Sequence, residues 1–260
     1  MKSLIKQTGG GWKLIFYYPP LFLLFCSTAP EIPLIPSNRV VLVEFFTWQR
    51  CVYCPYAAHT LDSLVSEFAD SVAVIAYHRR VAGDTLSPQY VEHRRVLYYE
   101  SGGEPAVVFD GGEVVRTPGP EYNYETYKNY ILGARRIRPQ AQLTATAYLN
   151  STAGRITIHA WGVDSTPSET LQLFAVITED HIREHLSGAT DSVYNDVMRA
   201  ILPESTGKPI RLSRAETLTV EIEFQAQPAW QLDNLNLIAF IQQPSTRKVL
   251  QTVKCPVNRR

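Results

Sequence analysis

The chain has 260 residues, 45% of them hydrophobic, which is enough for one large or two ordinary domains. Basic and acidic residues number 25 each, so the formal net charge is zero. Short basic clusters at 93–95 and 135–138 are interpreted as solvated helix faces or ends, and together these features argue against a nucleic-acid-binding protein. Four cysteines are too few for a disulfide scaffold.

Residues 1–26 have the pattern of a targeting segment. Three lysines precede an apolar run, residues 14–25, that is too short to span a bilayer and contains two consecutive prolines. Residues 23–26 are similar to a bacterial lipobox, which implies lipidation of Cys26, although Phe25 stands where that pattern prefers a small residue. A conventionally cleaved or an uncleaved anchor is the alternative. Residues 27–38 are proline-rich and predict an extended tether.

Either interpretation of the N-terminus predicts export, to a periplasm-facing or an outer-membrane or cell-surface location. Disulfides persist in such an oxidising compartment, so thiol chemistry is possible there.

The most informative stretch is residues 40–55. An apolar, β-rich run ends in an aromatic turn, and Cys51 and Cys54 then precede an amphipathic helix predicted for residues 57–68. A cysteine at a helix N-terminus lies among unpaired backbone N–H groups and at the positive end of the helix dipole, which favours the thiolate. The pattern therefore predicts Cys51 as a nucleophile and Cys54 as the residue that resolves a mixed disulfide.

Two other interpretations of the cysteine pair remain open, a structural disulfide and half of a zinc site. Zinc normally requires a second cysteine or histidine pair at ligand spacing, and the sequence has no second C-x-x-C. A redox pair is favoured, and neither a metal nor another cofactor is expected.

Further α/β elements follow the motif. The pattern predicts a buried strand at 71–77, a turn at Gly83-Asp84 and a helix at 88–99. Two short β runs around Asp110-Gly111-Gly112 predict a hairpin whose central positions have positive φ, and a helix is expected at 122–135.

Residues 42–46 running into Cys51–Pro55 resemble the active-site strand and helix of the thioredoxin fold, with Glu44 where thioredoxins carry a buried carboxylate. The spacing is one residue longer than in thioredoxin, and the central dipeptide is Val-Tyr rather than Gly-Pro. More narrowly, residues 38–257 resemble the thioredoxin-like outer-membrane lipoproteins of the Omp-related family. That resemblance rests on the run before the cysteines, on Gly111 after Phe109-Asp110, and on residues 177–180.

The resemblance implies roles for individual residues. Pro105 is expected to be a cis-proline that lies against the cysteines and pairs with substrate backbone. An ordinary trans-proline at the start of a strand is the alternative. Glu44 is expected to accept or relay the proton of Cys54. Substrate-binding residues around the pair are expected to be Trp48, Val52, Tyr53 and Glu104.

From residue 138 the pattern changes to strict alternation, which predicts an all-β immunoglobulin-like sandwich. The expected domains are therefore a thioredoxin-like α/β domain at 39–137 and a β-sandwich at 138–260. One short helix is predicted at 191–202. The H-x-x-E-H sequence at 181–185 is interpreted as a surface loop rather than a zinc site. The predicted sandwich strands are 143–149, 156–160, 171–177, 218–224, 235–241 and 248–253.

The favoured function is an exported thiol–disulfide oxidoreductase that acts on protein thiols and disulfides and is held at the membrane by a lipid anchor. The alternative is a non-catalytic outer-membrane or surface lipoprotein, in which the thioredoxin-like domain is a scaffold and the β-sandwich binds a partner protein. Cys255 is expected to be free or to form an intermolecular disulfide.

Overall fold

A computed structural model describes residues 38–81, 83–88 and 91–260, so the predicted targeting segment with Cys26, and all of the tether except Asn38, lie outside the described residues. The helices are α1 (Cys54–Phe68), α2 (Val91–Val96) and α3 (Asn123–Arg135), with short 3-10 turns at Ala69–Ser71, Pro120–Tyr122 and Leu232–Asn234. The strands are β1 (Val41–Thr47), β2 (Val72–His78), β3 (Ala106–Phe109), β4 (Val114–Val115), β5 (Ala141–Asn150), β6 (Ala153–Gly162), β7 (Leu171–Glu179), β8 (Ile182–Arg183), β9 (Val193–Tyr194), β10 (Val197–Leu202), β11 (Lys208–Ile210), β12 (Leu218–Gln225), β13 (Leu235–Gln242) and β14 (Val249–Arg259).

Across the described ranges, twelve of these strands belong to one sheet in the order β12-β6-β5-β14-β13-β7-β10-β2-β1-β3-β4, with β11 beside β7. The protein is thus a mixed α/β protein dominated by a large sheet, with few helices. The β1–β2 pair is parallel and every residue of both strands is buried, as expected for strands covered on both faces. The sheet runs through both of the segments that the sequence predicts as separate domains.

Three large apolar clusters in the described part of the chain pack against this sheet, whose strand side chains alternate between its two faces. In β7, Leu173, Ala175 and Ile177 join the cluster that includes β5, β6 and β12, whereas Phe174 and Val176 join the cluster that includes α2. The third cluster packs α1 and α3 against β1, β2 and β3. Helix α1 is thereby held by its apolar face, and its N-terminus lies beyond the end of β1.

The prediction of a helix at 191–202 is wrong, because this segment forms β9 and β10. Strand β10 pairs antiparallel with β7 and, at Val197, parallel with Ala76 of β2. The apolar spacing of the segment is compatible with a helix face as well as with a strand. Hydrogen bonds to strands far away in sequence decided the outcome, as they often do for strand segments. Strand β10 therefore connects the cysteine-bearing half of the sheet to the second half.

The predicted hairpin is confirmed as β3–β4, and its turn has positive φ at Asp110 (47°) and Gly111 (74°). A Cβ atom added to Gly111 would collide with the carbonyl oxygen of Arg247. We expect Gly111→Ala to lower the free energy of unfolding by more than ~1 kcal/mol, since the left-handed conformation alone costs about that much for an alanine. Chemical denaturation measures the change.

Gly112→Ala is the matched control for this prediction. Gly112 is not among the positive-φ glycines, and a Cβ there would lie 3.1 Å from the carbonyl oxygen of Phe109. An equal loss of stability in the two variants would contradict the role given to Gly111.

Candidate active site

Cys51 and Cys54 form a disulfide at the junction of β1 and α1, with their Cα atoms 5.3 Å apart. A turn closed by a hydrogen bond from the Cys51 N–H to the Trp48 carbonyl, 3.1 Å, separates the end of β1 from the pair. Helix α1 begins at Cys54, three residues earlier than predicted, with Pro55 in its first turn, where no intrahelical N–H bond is lost. The Cys54 N–H donates to the Cys51 Sγ at 3.1 Å. This donor is well placed to stabilise negative charge on Cys51.

The two cysteines lie just below an apolar surface. Cys51 is 4% exposed and Cys54 is 2% exposed, whereas Val52 and Tyr53 between them are 64% and 60% exposed. Tyr56, in the first turn of α1, is 55% exposed, and Trp48 is half-buried. Exposed apolar side chains around the disulfide form a surface suited to contact with another protein chain.

The Glu104–Pro105 peptide bond is cis, as the resemblance predicts, and it lies beside the cysteine pair. The carbonyl oxygen of Glu104 is 3.6 Å from the Sγ of Cys51. The Glu104 side chain is engaged by other residues. Its carboxylate is paired with Arg79 at 3.0 Å and accepts a hydrogen bond from the hydroxyl of Tyr99 at 2.9 Å. The backbone at residues 104–105, rather than the Glu104 carboxylate, therefore faces the site.

The structure does not place Glu44 with the cysteines, so the proton-relay role predicted for it requires correction. Its carboxylate is fully buried and forms a two-bond pair with the Arg94 guanidinium, at 2.5 and 2.9 Å. The hydroxyl of Tyr98 donates to the same carboxylate at 2.5 Å. Arg94 and Tyr98 belong to α2 and to the segment that follows it, on the face of the sheet opposite α1.

The extra residue between the carboxylate and the cysteines explains this displacement. Side chains alternate along a strand, so a shift of one residue moves a side chain to the other face. Val43 and Phe45, the neighbours of Glu44, lie in the same cluster as Cys51 and Cys54. An apolar phenylalanine thus occupies the place beside Cys54 that the resemblance assigned to a carboxylate.

A segment from the second half of the chain contacts the site, which the sequence analysis did not predict. Thr190 Oγ1 donates to the Cys51 carbonyl at 3.2 Å, and the Arg50 Nε donates to the Ser187 carbonyl at 2.9 Å. Further along α1, the imidazole of His59 lies 3.0 Å from the carboxylate of Asp191. These partners are more than 130 positions apart in sequence, and no local pattern signals such contacts.

A cavity adjoins the disulfide on the side of this segment. Its lining includes Cys54, Phe45 and three carboxylates, Asp62, Asp191 and Asp196. Its volume of about 40 Å³ has room for roughly three water molecules. The Cys54 side of the disulfide therefore borders a small, partly open space whose lining includes these three carboxylates.

Asp196 is 6% exposed, and its carboxylate accepts a hydrogen bond from the ammonium of Lys254, on β14, at 2.9 Å. The pKa of Asp196 is raised to about 6, chiefly by burial, with Lys254 acting in the opposite direction and the nearby Asp180 adding to the increase. Although burial alone lowers the pKa of Lys254, the Asp196 carboxylate raises it above its ordinary value. Burial also raises the pKa of Asp62, which accepts a hydrogen bond from the Asn195 amide at 3.2 Å.

Structural contacts or a surface position account for His78, for the H-x-x-E-H segment and for Cys255. His78 is buried and its Nδ1 lies 2.9 Å from the Asp84 carboxylate. Residues 181–185 form a surface segment that includes β8 and no helix. Cys255 is free and half-buried on β14, and burial raises the pKa of its thiol. Within the described ranges no group of three or more His, Cys, Asp or Glu side chains is arranged to hold a metal ion.

None of the helices in the described part of the chain is both long and apolar enough to cross a membrane.

No protein-family model matches the chain, and no curated protein matches it either. Among solved structures, HBP35 of Porphyromonas gingivalis superposes with a TM-score of 0.70 at 15% identity, over 85% of this chain and 76% of HBP35. A structural-genomics protein from Agrobacterium tumefaciens gives a TM-score of 0.55 at 13% identity, over 85% of this chain and 94% of that protein.

A domain of the outer membrane lipoprotein Omp28 from Porphyromonas gingivalis also matches, with a TM-score of 0.37 at 13% identity, over 47% of this chain and 91% of that domain. We draw no argument from this weaker match. At such low identities the comparisons concern the fold alone. The chain thus shares its fold with HBP35 and the Agrobacterium protein.

Proposed function

We propose that the protein is a thiol–disulfide oxidoreductase in which Cys51 attacks a substrate disulfide and Cys54 resolves the mixed disulfide. The observation that carries this proposal is the hydrogen bond from the Cys54 N–H to the Cys51 Sγ at the start of α1. On reduction, this N–H and the helix N-terminus favour a thiolate on Cys51, which is the form that attacks disulfides.

The surroundings of the pair support a polypeptide substrate. The exposed Val52, Tyr53 and Tyr56 offer apolar contact on one side. On the other side, the backbone at residues 104–105 lies next to the Cys51 Sγ and is the element that we propose positions substrate backbone. Trp48 borders the site from the strand side. Protein thiols and disulfides are the substrates that fit this surface.

The finer fold assignment belongs to the same proposal. We infer a thioredoxin-like domain at 39–137, on the basis of the order β1-α1-β2-α2-β3-β4-α3, followed by an immunoglobulin-like sandwich at 138–260. The likeness to the Omp-related lipoproteins and export with a lipid anchor at Cys26 are part of this proposal. They rest on the sequence pattern, because Cys26 lies outside the described residues.

The test is a redox titration of the full chain in glutathione buffers, with the thiols trapped and the fold monitored by circular dichroism. The disulfide links residues only three positions apart, so loop closure accounts for about 2 kcal/mol of stability, against about 4.7 for a loop of 100 residues. We therefore expect a reversible redox transition in a protein that remains folded.

The opposite outcome would support the second interpretation. A disulfide that stays closed until the protein unfolds would contradict the exchange function. It would leave a non-catalytic lipoprotein, with a thioredoxin-like scaffold and a sandwich that binds a partner protein.

A further inference from the structure

We propose that Asp196, held by Lys254, is the group that takes up the proton of Cys54 when Cys54 attacks the mixed disulfide. This inference rests on the proposed exchange function and assigns the proton transfer of that reaction. The carboxylate comes from the second half of the chain, through the turn that precedes β10. It replaces Glu44, which lies on the opposite face of β1.

The geometry supports this assignment in three ways. Cys54 and Asp196 line the same cavity, which is large enough for roughly three waters and so for a water-mediated proton path. Asp196 is more than nine-tenths buried, and its carboxylate is held by the Lys254 ammonium at 2.9 Å. Backbone hydrogen bonds fix the residue, because the Asp196 carbonyl accepts from the Ala76 N–H and the Asp196 N–H donates to the Asp180 carboxylate.

The charges around Asp196 come from several elements. Lys254 on β14 contacts it directly, and Asp180 at the end of β7 bonds its N–H. Asp62 on α1 also lies close enough to raise the pKa of Asp196. The other titratable groups that line the cavity are Asp191, His59, His78 and Tyr194.

Exchange takes place in two steps, and the proton moves in the second. The Cys51 thiolate attacks the substrate disulfide, and the first substrate sulfur leaves as a thiolate. The Cys54 thiol passes its proton through water to the Asp196 carboxylate, and the Cys54 sulfur attacks the Cys51 sulfur and expels the second substrate sulfur. The substrate disulfide is reduced, the cysteine pair is oxidised, and the proton on Asp196 then leaves to solvent.

The experiment uses the reduced full chain with Cys26→Ser and Cys255→Ser, mixed with the aromatic disulfide dithiobis(nitrobenzoate). The first nitrothiobenzoate released reports attack by Cys51. The second, released at a rate independent of reagent concentration, reports attack by Cys54. Both phases are measured across pH 4 to pH 9, a span of roughly two units or more on each side of the pKa of about 6 of Asp196.

We expect the second phase to slow as the pH falls through about 6, where Asp196 becomes protonated. In Asp196→Asn this pH dependence disappears and the second phase at neutral pH slows on the order of 10²-fold, while the first phase is unchanged. Lys254→Met removes the cation that favours the carboxylate, so the midpoint moves to higher pH. Asparagine suits position 196, because its φ of 53° lies in the left-handed region that asparagine tolerates.

Four results would overturn the inference or part of its basis. An unchanged second phase in Asp196→Asn would overturn it, and loss of the pH dependence in Asp62→Asn instead would assign the proton to Asp62. An unshifted midpoint in Lys254→Met would remove Lys254 from the proposal. If the reduced Cys26→Ser, Cys255→Ser chain, with Asp196 and Lys254 intact, released no nitrothiobenzoate in either phase, the exchange function itself would be wrong.

Discussion

Cys51→Ser will lower the rate of disulfide exchange by more than ~10³-fold, because it removes the sulfur that the proposed function assigns as the nucleophile. Cys54→Ser will behave differently, since it keeps the nucleophile and loses the residue that resolves the intermediate. We expect this variant to accumulate a mixed disulfide on Cys51. Thiol trapping followed by mass spectrometry of the peptides identifies the modified cysteine.

Cys255→Ser is the matched control for these variants. Cys255 is a half-buried thiol on β14 whose pKa is raised by burial, so it is a poor nucleophile at neutral pH. Its replacement should leave the exchange rate unchanged. Mixed disulfide that accumulates on Cys54 in the Cys51→Ser variant, at the native rate, would reverse the roles assigned to the two cysteines.

Arg94→Met will lower the free energy of unfolding by about 3–5 kcal/mol, because it leaves the fully buried Glu44 carboxylate without its cation. The Arg94 guanidinium also donates to Gln242 on β13 at 2.8 Å and lies over the ring of Phe174 at 4.9 Å. This one side chain therefore links β1, α2 and the second half of the sheet. Urea denaturation monitored by circular dichroism measures the loss.

Two further variants separate charge from geometry. Arg94→Lys keeps the positive charge and loses the two-bond contact, so its cost should be smaller than that of Arg94→Met. The double variant Glu44→Leu with Arg94→Met removes both charges and should be more stable than Arg94→Met alone. A cost below about 1 kcal/mol for Arg94→Met would contradict the burial of an ionised pair.

The local elements around the cysteines could be predicted from the sequence because their signals are local. The apolar run of β1, the amphipathic pattern of α1 and the Asp110-Gly111 turn each depend on neighbouring residues only. The alternating pattern after residue 138 likewise predicted β5, β6, β7, β12, β13 and β14. Boundaries were less accurate, since α2 is shorter than the helix predicted at 88–99.

The errors arose where distant parts of the chain decide the structure. Glu44 was assigned to the wrong face because one residue of spacing inverts a strand position. The segment containing Val197 was predicted to be helical because its apolar spacing fits a helix face. Its strand partners lie in β2 and β7, too far away in sequence to be recognised. Asp196 and Lys254 have no shared motif, and only the sheet brings them together. Long-range pairing of this kind leaves no periodic signal in a single sequence.

The position of β14 in the sheet also bears on how the protein folds. Arg39, just before β1, donates to the carbonyls of Val249 and Leu250 at the start of β14, more than 200 positions away. Contacts of such high sequence separation form slowly, because a long loop must close first. During synthesis β14 is the last described strand to emerge, and Lys254 emerges with it. The cysteine pair and α1 therefore exist in a chain that has not yet acquired the environment of Asp196, so their reactivity should mature late in folding.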